Sequence, residues 1–501
     1  MERLLDNDTR RRLKMIELLY AKPGWQTTKS LTKKLNCSES VLLKDITMYN
    51  SLFQSYKELP KYQTHLKDVP LEILTSHYGI HFAFPTGLGL DFFYQFVLKT
   101  TPAFQLLELV FFDETLTVTQ LADKLFFSVP TVYRLITKIN QALTYFAIEL
   151  KPNPCRMTGN EGQIRYFYSN YFLESYTFNE WPFTFNESTF EGLIHILFQP
   201  HLDQLDVASF QQIKIRSAVQ LTRHQLGHLN YHDPIVQQQL LAHCLPVLSA
   251  SLADQPNRDL SAEMMLDVFG LFMIDQQLLD DHQLFPKLTS FVQQLAKSLD
   301  LDCPANCEEI STRLLTVLHL TTRFASGPSY ILYNAKKAFV MAVAENHPNL
   351  FAETQRALHS FLKELVPKFS PGLINDLLYS LFTCWKELMT IGQVSVRILI
   401  LSSRNQGHAQ LINTQLQRRY GSRIETTIYQ GVTFNQQVLE AADFDMLISD
   451  ASFFFAPPKT SIWINGYPTC GDFERIETAL RSYELRDSSL ALSNKTVLHQ
   501  D

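Results

Sequence analysis

The sequence predicts a mainly α protein of a composite kind: tandem N-terminal (winged) helix-turn-helix units, two helical bundles, and a small C-terminal doubly wound α/β domain. Three observations predict it. A helix-pair pattern recurs at a spacing of ninety residues near the N-terminus, leucine stripes of helical period fill the chain from Phe167 to about Trp385, and apolar β-runs begin after Gly392. The expected domain spans are 1–65, 66–165, 166–290, 291–390 and 391–501. A chain of 501 residues has room for several domains on the usual scale of about 100 to 200 residues each.

Composition is that of ordinary globular material, with 46% hydrophobic and 19% charged residues. The N-terminus, MERLLDNDTRRR, lacks the apolar stretch of a secretion signal, and apolar runs such as Ile398 to Leu401 are too short to span a bilayer. A cytoplasmic protein without membrane association is expected. Seven scattered cysteines do not make a disulfide framework, and the close pair Cys303 and Cys307 has no second pair to complete a four-ligand metal site. No metal and no cofactor are expected. Formal net charge is −6, but its distribution is uneven. Residues 1–170 carry 20 lysines and arginines against 16 acids, and the remainder carries 24 against 34. The basic end is the one with the helix pairs.

In chain order, Leu13, Ile16, Leu18 and Leu19 predict a first amphipathic helix, ended by Pro23-Gly24. Arg10, Arg11 and Arg12 read as the solvated start of that helix, with an arm entering a minor groove as the alternative. Ser30 to Phe53 then reads as a helix pair. Gln120 to Leu143 reproduces it: Leu31 falls opposite Leu121, Lys34 opposite Lys124, Leu35 opposite Leu125, Ser38 opposite Ser128, Ile46 opposite Ile136, Thr47 opposite Thr137 and Asn50 opposite Asn140. Lys44 meets Arg134.

In the second copy Leu116, Leu121 and Leu125 give one buried face, Ser128 caps a new helix, and Val132, Leu135, Ile136 and Ile139 give the next. The opposite face of that helix offers Thr131, Tyr133, Arg134 and Lys138, hydroxyl and cationic groups suited to base edges and phosphates in a major groove. Ser40, Lys44 and Thr47 are the equivalent readers of the first copy. Ala147 to Lys151, a turn at Asn153-Pro154, and Cys155 to Thr158 predict a hairpin where a winged variant carries its wing. These features point to double-stranded DNA as partner.

The central segments, such as IKIRSAVQLTRHQLGHL and STRLLTVLHLTTRF, each carry one apolar stripe and no catalytic constellation. Breaks at Asp254–Arg258, Asp302–Asn306 and Pro367–Pro371 divide them into bundle-sized pieces, with a boundary near residue 290. Beyond Gly392 strands are expected at Val394–Leu401, Ile424–Tyr429, Asp445–Ser449 and Ser461–Asn465, alternating with helices. The first strand-loop-helix is where a phosphate would sit, but its loop lacks the GxxxxGK[ST] pattern, so nucleotide binding is not expected.

The order of these parts, with the sequence GNEGQIR of Gly159 to Arg165 just after the wing, resembles the Mga family of transcription regulators from Gram-positive cocci. The resemblance covers nearly the whole chain. It implies a DNA-binding activator of virulence or sugar-utilisation genes, acting as a homodimer or higher homo-oligomer. It also implies that the middle bundles look like regulatory domains phosphorylated on histidine by the sugar phosphotransferase system, with that system's phosphocarrier protein as partner, and that the C-terminal domain looks like its enzyme IIB component.

Two departures bear on the chemistry. Enzyme IIB of this type transfers phosphate through a cysteine after the first strand. Here Ser402 and Ser403 stand there, serine is a poor substitute without an activating base, and His408 reads as a surface residue. The position of the usual phosphorylated histidine, seven residues before an arginine, holds Arg216 before Arg223 and Thr316 before Arg323. His224, His228 and His319 are the substitutes nearby, as surface imidazoles able to accept phosphate. A regulator that is not an enzyme is therefore expected. A phosphocarrier, an RNA-binding antiterminator sharing the middle bundles, and a protein-interaction module are the alternatives.

Overall fold

The computed structural model describes residues 1–58, 70–85, 88–198, 206–229, 264, 267–268, 284–323, 327–365, 369, 371–390, 395–431, 435–452 and 459–497. They fall into two compact units. The first comprises Met1–Pro286 with Thr312–Lys337, and the second Lys287–Ser311 with Ala338–Asp501.

The first unit begins with α1 (Asn7–Ala21), whose N-terminus Asp6 caps by accepting from Thr9 N at 2.6 Å. The first helix pair is α2 (Thr28–Leu35) and α3 (Glu39–Glu58), and the second is α6 (Val118–Leu125) and α7 (Val129–Leu143). Between them lie α4 (Leu90–Thr100) and α5 (Pro102–Phe112). The ninety-residue repeat survives in three dimensions. Leu31 and Leu121, Leu42 and Val132, Ile46 and Ile136, Tyr49 and Ile139, and Phe53 and Leu143 are all buried. Thr27 and Thr117 cap the first helix of each pair, accepting from Ser30 N and Gln120 N. Each turn passes through one left-handed residue, Asn36 at φ 49° and Phe126 at φ 58°.

Each helix pair also carries a hairpin, where the sequence had shown only one. β3 (Ile148–Lys151) pairs with β4 (Arg156–Gly159) as expected, and β1 (Glu72–Ser76) pairs with β2 (Gly79–Ala83) across a tight turn at His77-Tyr78. That turn lacks the Asn-Gly or Asp-Gly signal that marks a hairpin in sequence. Gly79, at φ +120°, is needed there because a Cβ would lie 2.2 Å from the Gln26 carbonyl oxygen, against which β2 bridges.

The hairpins are fastened alike. Asn50 donates to the Ile73 carbonyl at 2.9 Å and accepts from Ile73 N at 2.8 Å, and Asn140 does the same to Leu150 at the same two distances. An Asn side chain satisfies both polar groups of one backbone residue, so it fixes each hairpin to the helix beside it. Asn140→Ala should therefore cost about 1–3 kcal/mol by stranding those groups, and Asn50→Ala a similar amount, as read from urea midpoints. A loss near zero would show that the hairpins are held by other contacts.

After the second hairpin, α8 (Glu161–Ser175) is buried along most of its length, with Tyr168, Tyr171 and Phe172 packed against Phe104 and Phe111. Next come α9 (Glu187–Phe198) and α10 (Val207–Gln225). The segment 331–333 of the chain returns to this unit: Glu174 of α8 accepts from the backbone N–H groups of Ile331, Leu332 and Tyr333 at 2.5 to 2.8 Å.

The second unit contains most of α11 (Leu284–Ser298) and of α13 (Ala335–Asn346), with α14 (Pro348–Leu365) and α15 (Pro371–Cys384), while α12 (Cys307–Arg323) is divided between the two units. Residue 290, where the sequence suggested a boundary, lies inside α11. The apolar stripe there is continuous, with Leu288, Phe291, Val292 and Leu295 buried, and the division into two units falls at Pro286/Lys287, within its first turn. The expected break at 254–258 lies outside the described residues.

The C-terminal sheet matches the four expected strands: β5 (Val396–Leu401), β6 (Ile424–Ile428), β7 (Met446–Ser449) and β8 (Thr460–Trp463). They are parallel, in the order β6-β5-β7-β8. α16 (Gln406–Tyr420) and α18 (Cys470–Val497) cover one face through Ile412, Leu416, Ile476 and Leu480; α17 (Gln436–Ala441) covers the other through Leu439.

Candidate nucleic-acid interface

The second helix of each pair exposes most of its predicted readers, Lys138 excepted. On α3, Ser40, Lys44 and Thr47 are exposed. On α7, Arg134 is exposed and donates to the Thr131 hydroxyl at 3.2 Å, which in turn lies 2.8 Å from Ser128 Oγ at the helix start. Tyr133 is 42% exposed, and its hydroxyl accepts from the Asn153 amide at 2.9 Å. The carbonyl oxygen of the same Asn153 accepts from Val118 N at the start of α6. The second wing, its recognition helix and the first helix of the pair are thus tied at one residue, and Tyr133 is oriented before any ligand arrives.

Lys138 departs from its predicted role. It is half-buried, and its ammonium donates to the Leu4 carbonyl at 3.0 Å, so it anchors the chain start to α7. Leu4 and Leu5 are buried at that spot, which explains why a lysine one turn beyond Arg134 points into the protein.

Further cations on or beside the helix pairs went unassigned in the sequence. Lys151 and Arg156 sit directly opposite each other on the second wing, both exposed, because β3 alternates buried and exposed residues. Lys33 and Lys34 are exposed in the last turn of α2. The alternation of Ile148 and Leu150 with Glu149 and Lys151 is the sequence signal that would have found the wing cation. The first wing differs, with Tyr78 65% exposed at its tip and Trp25 beside it, 6.1 Å between ring centroids.

Arg11 and Arg12 do not form a free arm. Asp45, buried on α3, accepts from Arg11 Nε at 2.7 Å and Nη2 at 3.1 Å and from Arg12 Nε at 2.8 Å. The hydrogen bonds to Asp45 raise the Arg11 pKa, and two guanidiniums neutralise a carboxylate that stands where the second copy has Leu135.

The GNEGQIR segment has a structural reading. Asn160 caps α8, accepting from Gln163 N, and Glu161 and Arg165 face a buried ionic cluster shared with α10. Arg223, fully buried, donates to Glu161 at 2.7 and 2.9 Å and to Glu114. Arg165 donates to Glu161 at 3.0 Å, to both carboxylate oxygens of Asp267 at 3.0 and 2.8 Å, and to the His228 carbonyl at 2.6 Å. Burial alone would lower the pKa of Arg223; Glu161 and Glu114 outweigh it and raise it.

Two of the three candidate histidines belong to the same cluster. His224 Nδ1 lies 2.8 Å from Asp267, with the side chain 19% exposed, and His228 Nε2 lies 2.5 Å from Glu114, 30% exposed. They are engaged, partly buried imidazoles, contrary to the surface residues the sequence suggested, because α10, which carries His224 and ends just before His228, packs its polar face on α8. His319 lies on α12, and its side chain falls outside the described residues.

Residues 7–58 match the M protein trans-acting positive regulator (MGA) helix-turn-helix domain, and residues 87–172 match the Mga helix-turn-helix domain. A "Putative trans-acting regulator" of Streptococcus pneumoniae serotype 4 is 23% identical, over 94% of this chain and 97% of that protein. The "Anthrax toxin expression trans-acting positive regulator" of Bacillus anthracis is 21% identical over 80% of this chain and 85% of its own. The "Capsule synthesis positive regulator AcpA" of the same organism is 27% identical over 47% of each. Among the described residues no helix is long and apolar enough to cross a membrane.

Proposed function

We propose, for a chain that carries both helix-turn-helix domains of the Mga regulators and is itself a transcription activator of that type, a division of labour between its two DNA-reading units. The second unit is the main reader. Its α7 enters a major groove with Arg134 and Tyr133 on base edges or phosphates and Thr131 fixing register, while Lys151 and Arg156 of the wing neutralise the adjacent backbone. The first unit adds Lys33, Lys34 and Lys44 on phosphates, with Ser40 and Thr47 beside them. The observation that carries this reading is Asn153, which holds the wing and Tyr133 in one arrangement.

Neither unit is heavily basic, so a homodimer or higher assembly supplies the avidity. The protein acts in the cytoplasm. A phosphocarrier protein of the sugar phosphotransferase system is the proposed upstream partner, acting on His224, His228 or His319. Phosphate on His224 or His228 would enter a cluster already holding three carboxylates and would loosen α8 from α10 by repulsion.

Binding of the full-length protein to fluorescent promoter fragments over a salt series tests the main reading. Arg134→Ala should weaken binding by about 1–3 kcal/mol, with relaxed sequence preference if it reads a base and a shallower salt slope if it meets a phosphate. Unchanged affinity for every fragment would remove Arg134 from the interface. Absence of any saturable binding by the parent would leave the two units as protein-interaction modules.

A further inference from the structure

The C-terminal domain holds a serine with the base that the sequence did not reveal. Ser402 ends β5, and its Oγ lies 2.8 Å from His408 Nδ1 on the first turn of α16. His408 Nε2 meets the Gly466 carbonyl oxygen, which can only accept, so that nitrogen carries the hydrogen. In the neutral ring Nδ1 is then a lone pair, and the Ser402 hydroxyl donates to it. The imidazole is fixed, with its side chain 12% exposed, and is not a loose surface residue.

Asp450 supplies the second observation. It follows β7, its side chain is 3% exposed, and its Oδ1 accepts from Ser403 N at 2.6 Å. Its Oδ2 is buried with no hydrogen-bond donor among the described residues, 3.6 Å from His408 Nδ1 and 3.5 Å from Arg404 Nε. A buried carboxylate oxygen left without a donor is costly, and groups so placed call for an explanation. The explanation lies in the proton. Once the Ser402 proton sits on His408 Nδ1, the imidazolium carries its charge 3.6 Å from Asp450 Oδ2, beyond hydrogen-bond reach but within an ion pair's. A buried carboxylate at that distance lowers the cost of moving the proton to His408, which is what activates a hydroxyl.

The surroundings select the electrophile. β5 and β7 are the adjacent strands at which the order of the sheet reverses, and the crevice at their carboxyl ends is where open α/β sheets take ligands. The first turn of α16 offers backbone N–H groups there, and Arg404 lies against Gly466, where a Cβ would come within 2.7 Å of its guanidinium. Both favour developing negative charge on oxygen.

We infer that Ser402 is a covalent modification site that accepts an activated phosphoryl group, with His408 as general base and Asp450 as the group that steadies the imidazolium. In the step the Ser402 Oγ–P bond forms, the bond from phosphorus to its leaving group breaks with the electron pair going to that group, and the hydroxyl proton passes to His408 Nδ1.

An alkyl fluorophosphonate reproduces the step with fluoride as leaving group, and the full-length protein can be read by intact mass and peptide mapping. One adduct on Ser402 is expected, absent in Ser402→Ala. His408→Asn should slow labelling by about 100-fold or more, and Asp450→Asn by about 10-fold. Asp450→Asn is the control should His408→Asn fail to fold, since its amide still accepts from Ser403 N. No adduct, an adduct only elsewhere, or a Ser402 labelling rate that a folded variant of either residue leaves unaltered would overturn the proposal.

Discussion

Arg223→Ala should destabilise the N-terminal unit by about 3–5 kcal/mol, the usual cost of breaking a buried ion pair from one side. Arg223 is fully buried and is held by Glu161 and Glu114, so its removal leaves two carboxylates facing each other without their shared cation. Arg165 remains bonded to Glu161, but it already serves Asp267 and the His228 carbonyl. The measurement is urea unfolding at neutral pH. Arg223→Met with Glu114→Gln and Glu161→Gln should recover most of the loss, because it removes the charges together with their partner. A fall below about 1 kcal/mol for Arg223→Ala would mean that water reaches the cluster and screens it as it screens a surface pair.

That cluster also marks the limit of what the sequence could tell. The helix pairs were legible because Leu31, Ile46 and their ninety-residue counterparts repeat a burial pattern that depends on local period alone. The four C-terminal strands were legible for a like reason, as apolar runs bounded by polar loops. The first wing was not, since its turn at His77-Tyr78 carries no turn signature and its fastening to Asn50 spans 23 residues. Lys138 was misread because an exposed helix position in isolation becomes half-buried once the chain start packs over it. Arg223, His224 and His228 look like polar helix residues until α8 is laid against them. His408 looked idle because its partners, Ser402 and the Gly466 carbonyl, are brought to it by the sheet.

Glu174 gives the second large effect, and it depends on pH. Burial raises its pKa from 4.5 to about 7, against the pull of the three backbone N–H groups of Ile331, Tyr333 and Leu332 and of the Met1 ammonium. Because the folded value lies above the unfolded one, the folded protein keeps a proton that the unfolded chain has lost between those two values. Stability from this group is therefore full below about pH 4.5, falls as pH rises, and is lost above about 7, a total of about 3 kcal/mol at 1.36 kcal/mol per unit. Glu174→Gln has no proton to lose, so its urea midpoint measured from pH 4.5 to 8 should lack that decline relative to the parent. Parallel profiles for the two proteins would show that Glu174 is ionised throughout and that the three N–H groups alone hold its charge.

The grip of Glu174 on residues 331–333 has a consequence for the order in which the molecule comes into being. The unit that carries the helix pairs leaves the ribosome first, yet its last piece is synthesised 157 to 159 residues after the carboxylate that waits for it. Closing so long a loop is slow compared with forming a helix pair, and domains otherwise tend to fold as they emerge. The N-terminal helix pairs can assemble early from their own repeats. Their unit is completed only when the chain has grown to Lys337, so a nascent or truncated chain that ends before residue 331 lacks the strap that finishes it.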